Sequence, residues 1–333
     1  MMRSIRQRAL GIQPAETSLA RRGFHLGDPS TRRRLERIGA TFVLGYNAAI
    51  EEADPTGLAT RLDEVELEFR GFAYEGAGMG LTILDALTPW RRWRLDSFLR
   101  GAASRHIYLT YVGAGWALAR MRLRIGPYLE RLDPVLRWLL VDGVGFHEGY
   151  FNWRRSFLRQ EIPGRIRGYA RNVFDQGLGR SLWFVSCAEP DRAVEMINGF
   201  PWHRRQDLWG GIGLAASYAG GADSQGLNYL SKAAGAYWRE LAQGAAFAAK
   251  ARQLAGNPAT CTNLACEIFC GERASDAAWI TDRALDQVKR DPSFHTDPQR
   301  NRPAYERWRQ AIQIHFQFPK GLSCRVATPE ALF

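Results

Sequence analysis

The residues best suited to acid–base chemistry lie in the stretch VDGVGFHEGYFNWRR, residues 141–155. His147 can exchange a proton near neutral pH, and the carboxyl group of Glu148 follows it directly. Asp142 lies five residues before His147, and Asp175 is a further carboxylate in the next related segment. Because consecutive residues on a helix point about 100° apart, His147 and Glu148 need not act together. The candidate catalytic residues are therefore His147, Glu148, Asp142 and Asp175.

Standard catalytic and cofactor motifs do not accompany these residues. The sequence contains no HExxH, GxSxG or CxxCH motif and no Walker loop. Cys261, Cys266 and Cys270 cluster in CTNLACEIFC, but they lack CxxC spacing and a neighbouring histidine. Small apolar core residues are the better interpretation of these thiols than a metal site. The identity of any metal or cofactor stays open.

The stretch that contains His147 is one of six related segments. The first glycine of each segment falls at positions 76, 113, 143, 177, 211 and 244, most often 33 or 34 residues apart. A nearly constant period of this size is typical of stacked helix pairs. The sequence therefore predicts a helical-repeat array of the tetratricopeptide or Sel1 kind, or a related one.

Glycine needs a physical reason in these helices, because it costs about 1 kcal/mol relative to alanine in a helix interior. Four residues after each first glycine stand Gly80, Ala117, His147, Ser181, Ala215 and Ala248, five of which are small. Small residues at i and i+4 share one helix face and let another backbone approach. The second glycine of each motif is expected to widen this face. The motif thus predicts close helix packing, with His147 projecting into the groove as the one bulky polar exception.

A second row of residues precedes the first glycines and consists of Glu75, Val112, Asp142, Gln176, Gly210 and Gln243. Four of the six are acidic or amide residues, which could line a concave surface of the array. The alternative is that each carboxylate pairs with an arginine and stabilises the fold. Aromatic side chains could form the walls of a site for a long apolar ligand. The candidate substrate contacts are Glu75, Trp116, Tyr150, Arg180, Asp207 and Gln243.

Helical spacing dominates the chain, and the predicted fold class is all-α. The segment VELEFRGFAY, residues 65–74, alternates like a strand and could form an isolated strand or hairpin. Proline and glycine breakers predict an irregular segment over residues 1–30. A single helical-repeat domain is expected over 31–316, followed by a loosely ordered tail over 317–333.

The composition indicates a folded protein with a strong positive charge. The 333 residues are 46% hydrophobic, enough for a large core. No apolar run reaches about 18 residues, so no membrane span is expected. The N-terminus lacks the apolar core of a secretory signal, which favours a cytoplasmic protein. The net charge of +11 could attract phosphopantetheine or an acidic carrier domain. Nucleic acid is less favoured, because the arginines form only short, scattered clusters.

Several segments in order carry a resemblance to a known bacterial family: GFHLGDP, RLERIGATFVLGYNAAIE, RGFAYEGAGM, YVGAGWALAR, VDGVGFHEGYF, FDQGLGRSLWFV, RRQDLWGGIGLAASYAGG and LAQGAAFAA. Over roughly residues 20–315 the chain resembles the unbL-type family of enediyne biosynthesis, which is named as a domain of unknown function. The resemblance implies association with antibiotic biosynthesis clusters, part of secondary metabolism. In these clusters an iterative polyketide synthase makes a linear polyene that becomes the enediyne core. The resemblance supplies no catalytic residues and does not decide whether the protein is an enzyme.

Two hypotheses follow from the residues and the resemblance together. In the first, the protein is an accessory protein of enediyne biosynthesis that binds a linear polyene, free or carrier-bound, between its helices. It would help to convert that intermediate toward the enediyne core, with Arg180 as a contact for an anionic group. In the second, it is a non-catalytic helical-repeat scaffold that binds the polyketide synthase or another pathway protein.

Overall fold

The computed structural model describes residues 2–52, 54–88, 90, 93–291 and 303–316. Every regular element in these ranges is helical, which confirms the all-α class. The α-helices are α1 (Met2–Leu10), α2 (Leu19–Arg22), α3 (Pro29–Glu51), α4 (Pro55–Asp63), α5 (Arg70–Leu87), α6 (Arg94–Arg100), α7 (Ile107–Arg120), α8 (Gly126–Leu129), α9 (Leu139–Phe151), α10 (Ala170–Val185), α11 (Pro190–Asn198), α12 (Trp202–Ala219), α13 (Ser224–Ala234), α14 (Trp238–Ala255), α15 (Thr260–Phe269), α16 (Ala274–Arg290) and α17 (Ala304–His315).

Two local predictions are wrong, and a third lies outside the described residues. The strand or hairpin over 65–74 is absent: residues 65–69 form turns, and α5 begins at Arg70. Its alternating residues do not share one buried face, because Leu67 is exposed and Phe69 is buried. The segment predicted to be irregular, residues 1–30, contains α1, α2 and the single turn Pro14–Thr17. The predicted tail, 317–333, lies outside the described residues.

The long helix α3 begins where the sequence signals its start. The carboxylate of Asp28 accepts hydrogen bonds from the backbone N–H groups of Ser30 (2.8 Å) and Thr31 (2.9 Å). Pro29 occupies the first helical position, where its missing N–H group costs nothing. Satisfying these free N–H groups stabilises the first turn of α3.

Seven long helices, α3, α5, α7, α9, α10, α12 and α14, pack side by side in chain order. The glycine motifs set their separation. A side chain at Gly113 would collide with the carbonyl oxygen of Glu75 on the preceding helix, α5. A side chain at Gly115 would collide with that of Leu140 on the following helix, α9. The close packing that the motif predicts is therefore present, with backbone in contact with backbone.

The two glycines of one motif face opposite neighbours, so the second does not widen the face of the first. Residues i and i+2 of a helix point about 200° apart, and each glycine therefore meets a different helix. Position i+4 turns back toward the preceding helix: a side chain at Gly80 would lie 2.8 Å from the Cβ atom of Ala49 on α3. The residue just before each first glycine and the residue three positions after it therefore face the interior.

The array curves back on itself, so that α12 and α14 reach the start of α5. The guanidinium of Arg252 donates to the carbonyl oxygens of Glu68 (2.6 Å) and Tyr218 (2.7 Å). Arg34 on α3 donates to the carbonyl oxygen of Ala219 at 2.6 Å. These bonds enclose the inner faces of the long helices and create the interior where the candidate site lies. Assignment of the units to helix pairs of the tetratricopeptide kind stays a prediction.

Candidate ligand-binding cavity

The interior contains a mostly apolar cavity built from equivalent positions of successive helices. It has about 760 Å³ of space not filled by protein atoms, its opening included. Five of the six residues three after a first glycine line it: Met79, Trp116, Phe146, Arg180 and Leu214. Glu75, from the row before the glycines, also lines this cavity. The repeating geometry of the motif thus turns one side chain per helix toward the same space.

A second apolar cavity, with about 490 Å³ of space not filled by protein atoms, its opening included, adjoins the first. The two cavities share three wall residues, Arg180, Leu214 and Tyr218. The residues three after a first glycine form what we call the inner row. Its sixth member, Phe247, lines the second cavity together with Trp308 of α17. Because the two cavities share these wall residues, one long molecule could contact both.

The opening of the first cavity lies beside the N-terminal segment. Ile12, Glu16, Gly39 and Phe151 line the cavity and are partly exposed to solvent. Glu16 belongs to the single turn Pro14–Thr17, which covers α3 near the end of α9. A ligand would therefore pass this turn to reach the interior.

Arg180 organises the polar side of the shared wall. One terminal nitrogen of its guanidinium donates to the carboxylate of Asp142, which also accepts a hydrogen bond from Gln176 at 2.7 Å. The other terminal nitrogen lies 4.0 Å from the carboxylate of Glu75. The guanidinium carbon lies 5.1 Å from the centre of the Phe146 ring, in cation–π geometry. Arg180 thus holds a positive charge inside an otherwise apolar interior.

Glu75 is the least satisfied buried carboxyl group of this interior. Only 3% of its surface is exposed, and it accepts no hydrogen bond of ordinary geometry from the residues that the structure describes. Burial raises the pKa of Glu75 to about 7, since the nearby charge of Arg180 offsets the cost of burial only in part. The Trp116 indole lowers that pKa slightly as a weak donor to Glu75, although its Nε1 makes no hydrogen bond of ordinary geometry.

Three buried donors at the same cavity make no hydrogen bond of ordinary geometry: Nε1 of Trp116, which lies near Glu75, Nε of Arg180, and the hydroxyl of Tyr218, which lies near Asn257. An unpaired buried donor costs about 1–3 kcal/mol, so three in one place indicate a site that a ligand can complete. We call Glu75, Trp116, Arg180 and Tyr218 the polar centre.

Three sequence-predicted residues lie outside both interior cavities, in arginine pairs. Asp207 accepts a hydrogen bond from Arg309 of α17 at 2.7 Å, and Gln243 accepts one from the same guanidinium at 3.1 Å. Asp175 accepts two hydrogen bonds from Arg204, and burial still raises the pKa of Asp175 to about 6. For these side chains the structure matches the alternative that carboxylates pair with arginines and stabilise the fold.

His147 and Glu148 face an outer pocket and not the polar centre. The His147 ring contacts Trp116 (5.8 Å between ring centroids) and Phe151 (4.7 Å), beside the last turn of α7. Burial lowers the pKa of His147 to about 3, with smaller effects from nearby arginines. Glu148 accepts a hydrogen bond from Asn152 and lies 3.6 Å from Arg165.

The four candidate catalytic residues are therefore not brought together. Asp142 lines the second cavity, Asp175 lies beside Arg204, and His147 with Glu148 lies at the outer pocket. Of the candidate substrate contacts, four line the first cavity: Glu75, Trp116, Tyr150 and Arg180.

Sequence reasoning missed several wall residues, although a signal for most of them was present. Met79, Phe146 and Leu214 lie four residues after the row of Glu75 and its equivalents, so they share its helix face. That spacing would have identified them. Tyr218 lies one turn further along α12 from Leu214.

The cysteine cluster is part of the packing around α14. The thiols of Cys266 and Cys270 lie 3.7 Å and 3.3 Å from the carbonyl oxygens of Ala245 and Ala242. Across the described ranges, no three His, Cys, Asp or Glu residues are grouped to hold a metal ion. In the same part of the chain, no helix is long and apolar enough to cross a membrane.

Comparison with known proteins gives one match. A family model with the description "Protein of unknown function (DUF1702)" matches residues 1–316. Neither the curated proteins nor the solved structures contain a match to the chain.

Proposed function

The chain belongs to the family described as Protein of unknown function (DUF1702), and we propose that it binds an elongated, mostly apolar molecule in its interior. The observation that carries this proposal is the pair of apolar cavities that share Arg180, Leu214 and Tyr218. Small-molecule sites are mostly apolar with a few placed polar groups, and the walls of these two cavities have this character.

The sequence motifs resemble those of the unbL-type family of enediyne biosynthesis. On this basis we propose that the ligand is a linear polyene of that pathway, free or carrier-bound. A conjugated polyene is stiff and apolar, and the aromatic walls formed by Trp116 and Phe146 suit such a chain. In this proposal the protein is an accessory protein of the pathway. This finer statement depends on the motif resemblance, to which the family description adds nothing.

A fluorescent polyene tests the binding proposal. The methyl ester of parinaric acid is an uncharged linear conjugated tetraene whose emission rises in apolar surroundings, and titration with the wild-type protein should give saturable enhancement. Leu214→Trp fills the wall that both cavities share and should weaken binding by about tenfold or more, equivalent to about 1.4 kcal/mol.

The matched control is Leu158→Trp, because Leu158 is 67% exposed and lines neither interior cavity. This variant should bind the probe as the wild-type protein does. If the wild-type protein gives no saturable enhancement, the binding proposal is wrong. Capture of the polyketide synthase by a protein that binds no polyene would favour the scaffold hypothesis instead.

A further inference from the structure

The polar centre differs from the other buried ion pairs of the molecule in its incomplete pairing. The carboxylates of Asp142, Asp175 and Asp207 each accept hydrogen bonds from an arginine and, in two cases, from an amide side chain. Glu75 has the 4.0 Å approach of Arg180 and a weak contact with the Trp116 indole, neither of which is a hydrogen bond of ordinary geometry. A carboxyl group without bonded partners is free to exchange a proton with a bound molecule.

The three unpaired donors define the group that a ligand must present. Trp116, Arg180 and Tyr218 are each more than nine-tenths buried and offer hydrogen atoms. They would be satisfied by an oxygen acceptor. A carboxylate would lie beside Glu75 and Asp142, whose charges would repel it. A neutral carbonyl oxygen meets the same donors without that repulsion.

We propose that the polar centre binds the carbonyl group of an unsaturated ketone, ester or thioester, and that Glu75 is a catalytic base for enolisation at the adjacent carbon. This inference rests on the proposed binding of an elongated apolar ligand. The pKa of Glu75 near 7, which burial causes, suits a group that must both accept and return a proton at neutral pH.

The reaction needs no reagent beyond the ligand and Glu75. The carboxylate takes a proton from the carbon beside the carbonyl, and the electron pair of that C–H bond forms the enolate double bond. The carbonyl π pair moves onto oxygen, where Arg180, Trp116 and Tyr218 stabilise the negative charge. The protonated Glu75 then returns the proton to the same carbon or to the far end of the conjugated system, which moves a double bond along the chain.

Deuterium exchange of farnesylacetone tests this inference, since this probe is a linear apolar polyene with one ketone. In heavy water the wild-type protein should accelerate exchange at the carbons beside the carbonyl. The rate should rise with pH and level off above about 7, as Glu75 loses its proton. Glu75→Gln should still bind the ketone but lose about a hundredfold or more of the exchange rate, together with the pH inflection.

Two further variants separate a catalytic role from a structural one. Glu240→Gln changes another glutamate of which burial raises the pKa but which lines neither cavity, so its exchange rate should match that of the wild-type protein. Trp116→Phe keeps the ring and removes one donor, so exchange should slow about tenfold while the pH inflection stays. If Glu75→Gln does not fold, this second variant still decides the matter.

The outcomes distinguish the two proposals. Ketone binding without accelerated exchange, or with equal exchange by Glu75→Gln, overturns the catalytic inference and leaves the binding proposal intact. Absence of binding by the wild-type protein overturns both.

Discussion

Individual buried charges in this protein are compensated by partners that lie far away in the chain. Asp142 pairs with Arg180, Asp175 with Arg204, and Asp207 with Arg309. Removing one partner of such a pair leaves an uncompensated charge, which is far more costly than losing an exposed pair. By the same reasoning, the incomplete pairing of Glu75 costs stability, and it therefore indicates a functional role for this residue.

Arg309→Met should lower the free energy of unfolding by about 3–5 kcal/mol, because Asp207 is left charged in the interior. Arg100→Met is the control: the Arg100–Asp96 pair is an exposed i,i+4 pair, and its loss should cost no more than about 0.5 kcal/mol. Urea denaturation of both variants measures the difference. Equal effects would show that Arg309 contributes little to the interior.

His147→Asn should change the dependence of stability on pH. In the folded protein the pKa of His147 is about 3, below its ordinary value of 6.5. Between these values the unfolded chain binds the proton and the folded protein does not, so wild-type stability falls as the pH falls. This residue contributes at most about 1.4 kcal/mol per pH unit to that loss.

The variant lacks this contribution, and its stability relative to the wild-type protein should rise as the pH is lowered from 6.5 toward 5. Denaturant titrations at a series of pH values measure this difference. Parallel curves for the two proteins would mean that His147 takes up its proton equally well in both states.

At the scale of the helices, close packing could be predicted from the sequence because neighbouring helices touch backbone to backbone. Close approach is a local requirement that only glycine meets at these positions, so the motif predicted six helices and their close packing. The strand expected over 65–74 failed because alternation alone supplies no partner strand. Of the residues three after a first glycine, the sequence predicted only Trp116 and Arg180 as ligand contacts, because the others, such as Phe146, are apolar like the rest of the core.

Two adjacent glycines of α12 test the packing directly. Gly211→Ala places a methyl group against the carbonyl oxygen of Gln176, and it should destabilise the fold by several kcal/mol as α10 and α12 separate. Gly210→Ala meets nothing nearer than 3.5 Å and should stabilise the helix by up to about 1 kcal/mol. Thermal unfolding should therefore show shifts of opposite sign, and shifts of the same sign would refute the packing role of the motif.

For the whole molecule, closure of the array depends on contacts that no local pattern predicts. Arg252 is 2% exposed and joins α14 to the carbonyl oxygens of Glu68 and Tyr218. Arg309 reaches Asp207 across 102 residues of chain. Sequence spacing identified the row of polar residues that faces the interior, but it could not show which arginines meet them. The polar centre was therefore predicted only in part.

Arg252→Met should weaken the contacts that close the array, because two buried carbonyl oxygens lose a charged donor. The free energy of unfolding should fall by about 3 kcal/mol. Hydrogen exchange should accelerate at the start of α5 and the end of α12, while α9 stays protected. Arg239→Met, on the exposed side of the same helix, should change neither region. Uniform acceleration across all helices would instead indicate general destabilisation.

The contact between Asp207 and Arg309 also has a consequence for synthesis of the chain. Asp207 leaves the ribosome 102 residues ahead of Arg309. At about 5–20 residues per second, this delay lasts roughly 5–20 seconds. During that time α12 and α14 are completed, but the interior that the long helices share still lacks Arg309 and the aromatic side chains of α17. The nascent protein therefore exposes part of its apolar inner face until α17 is made, and this is the period in which a chaperone would be needed.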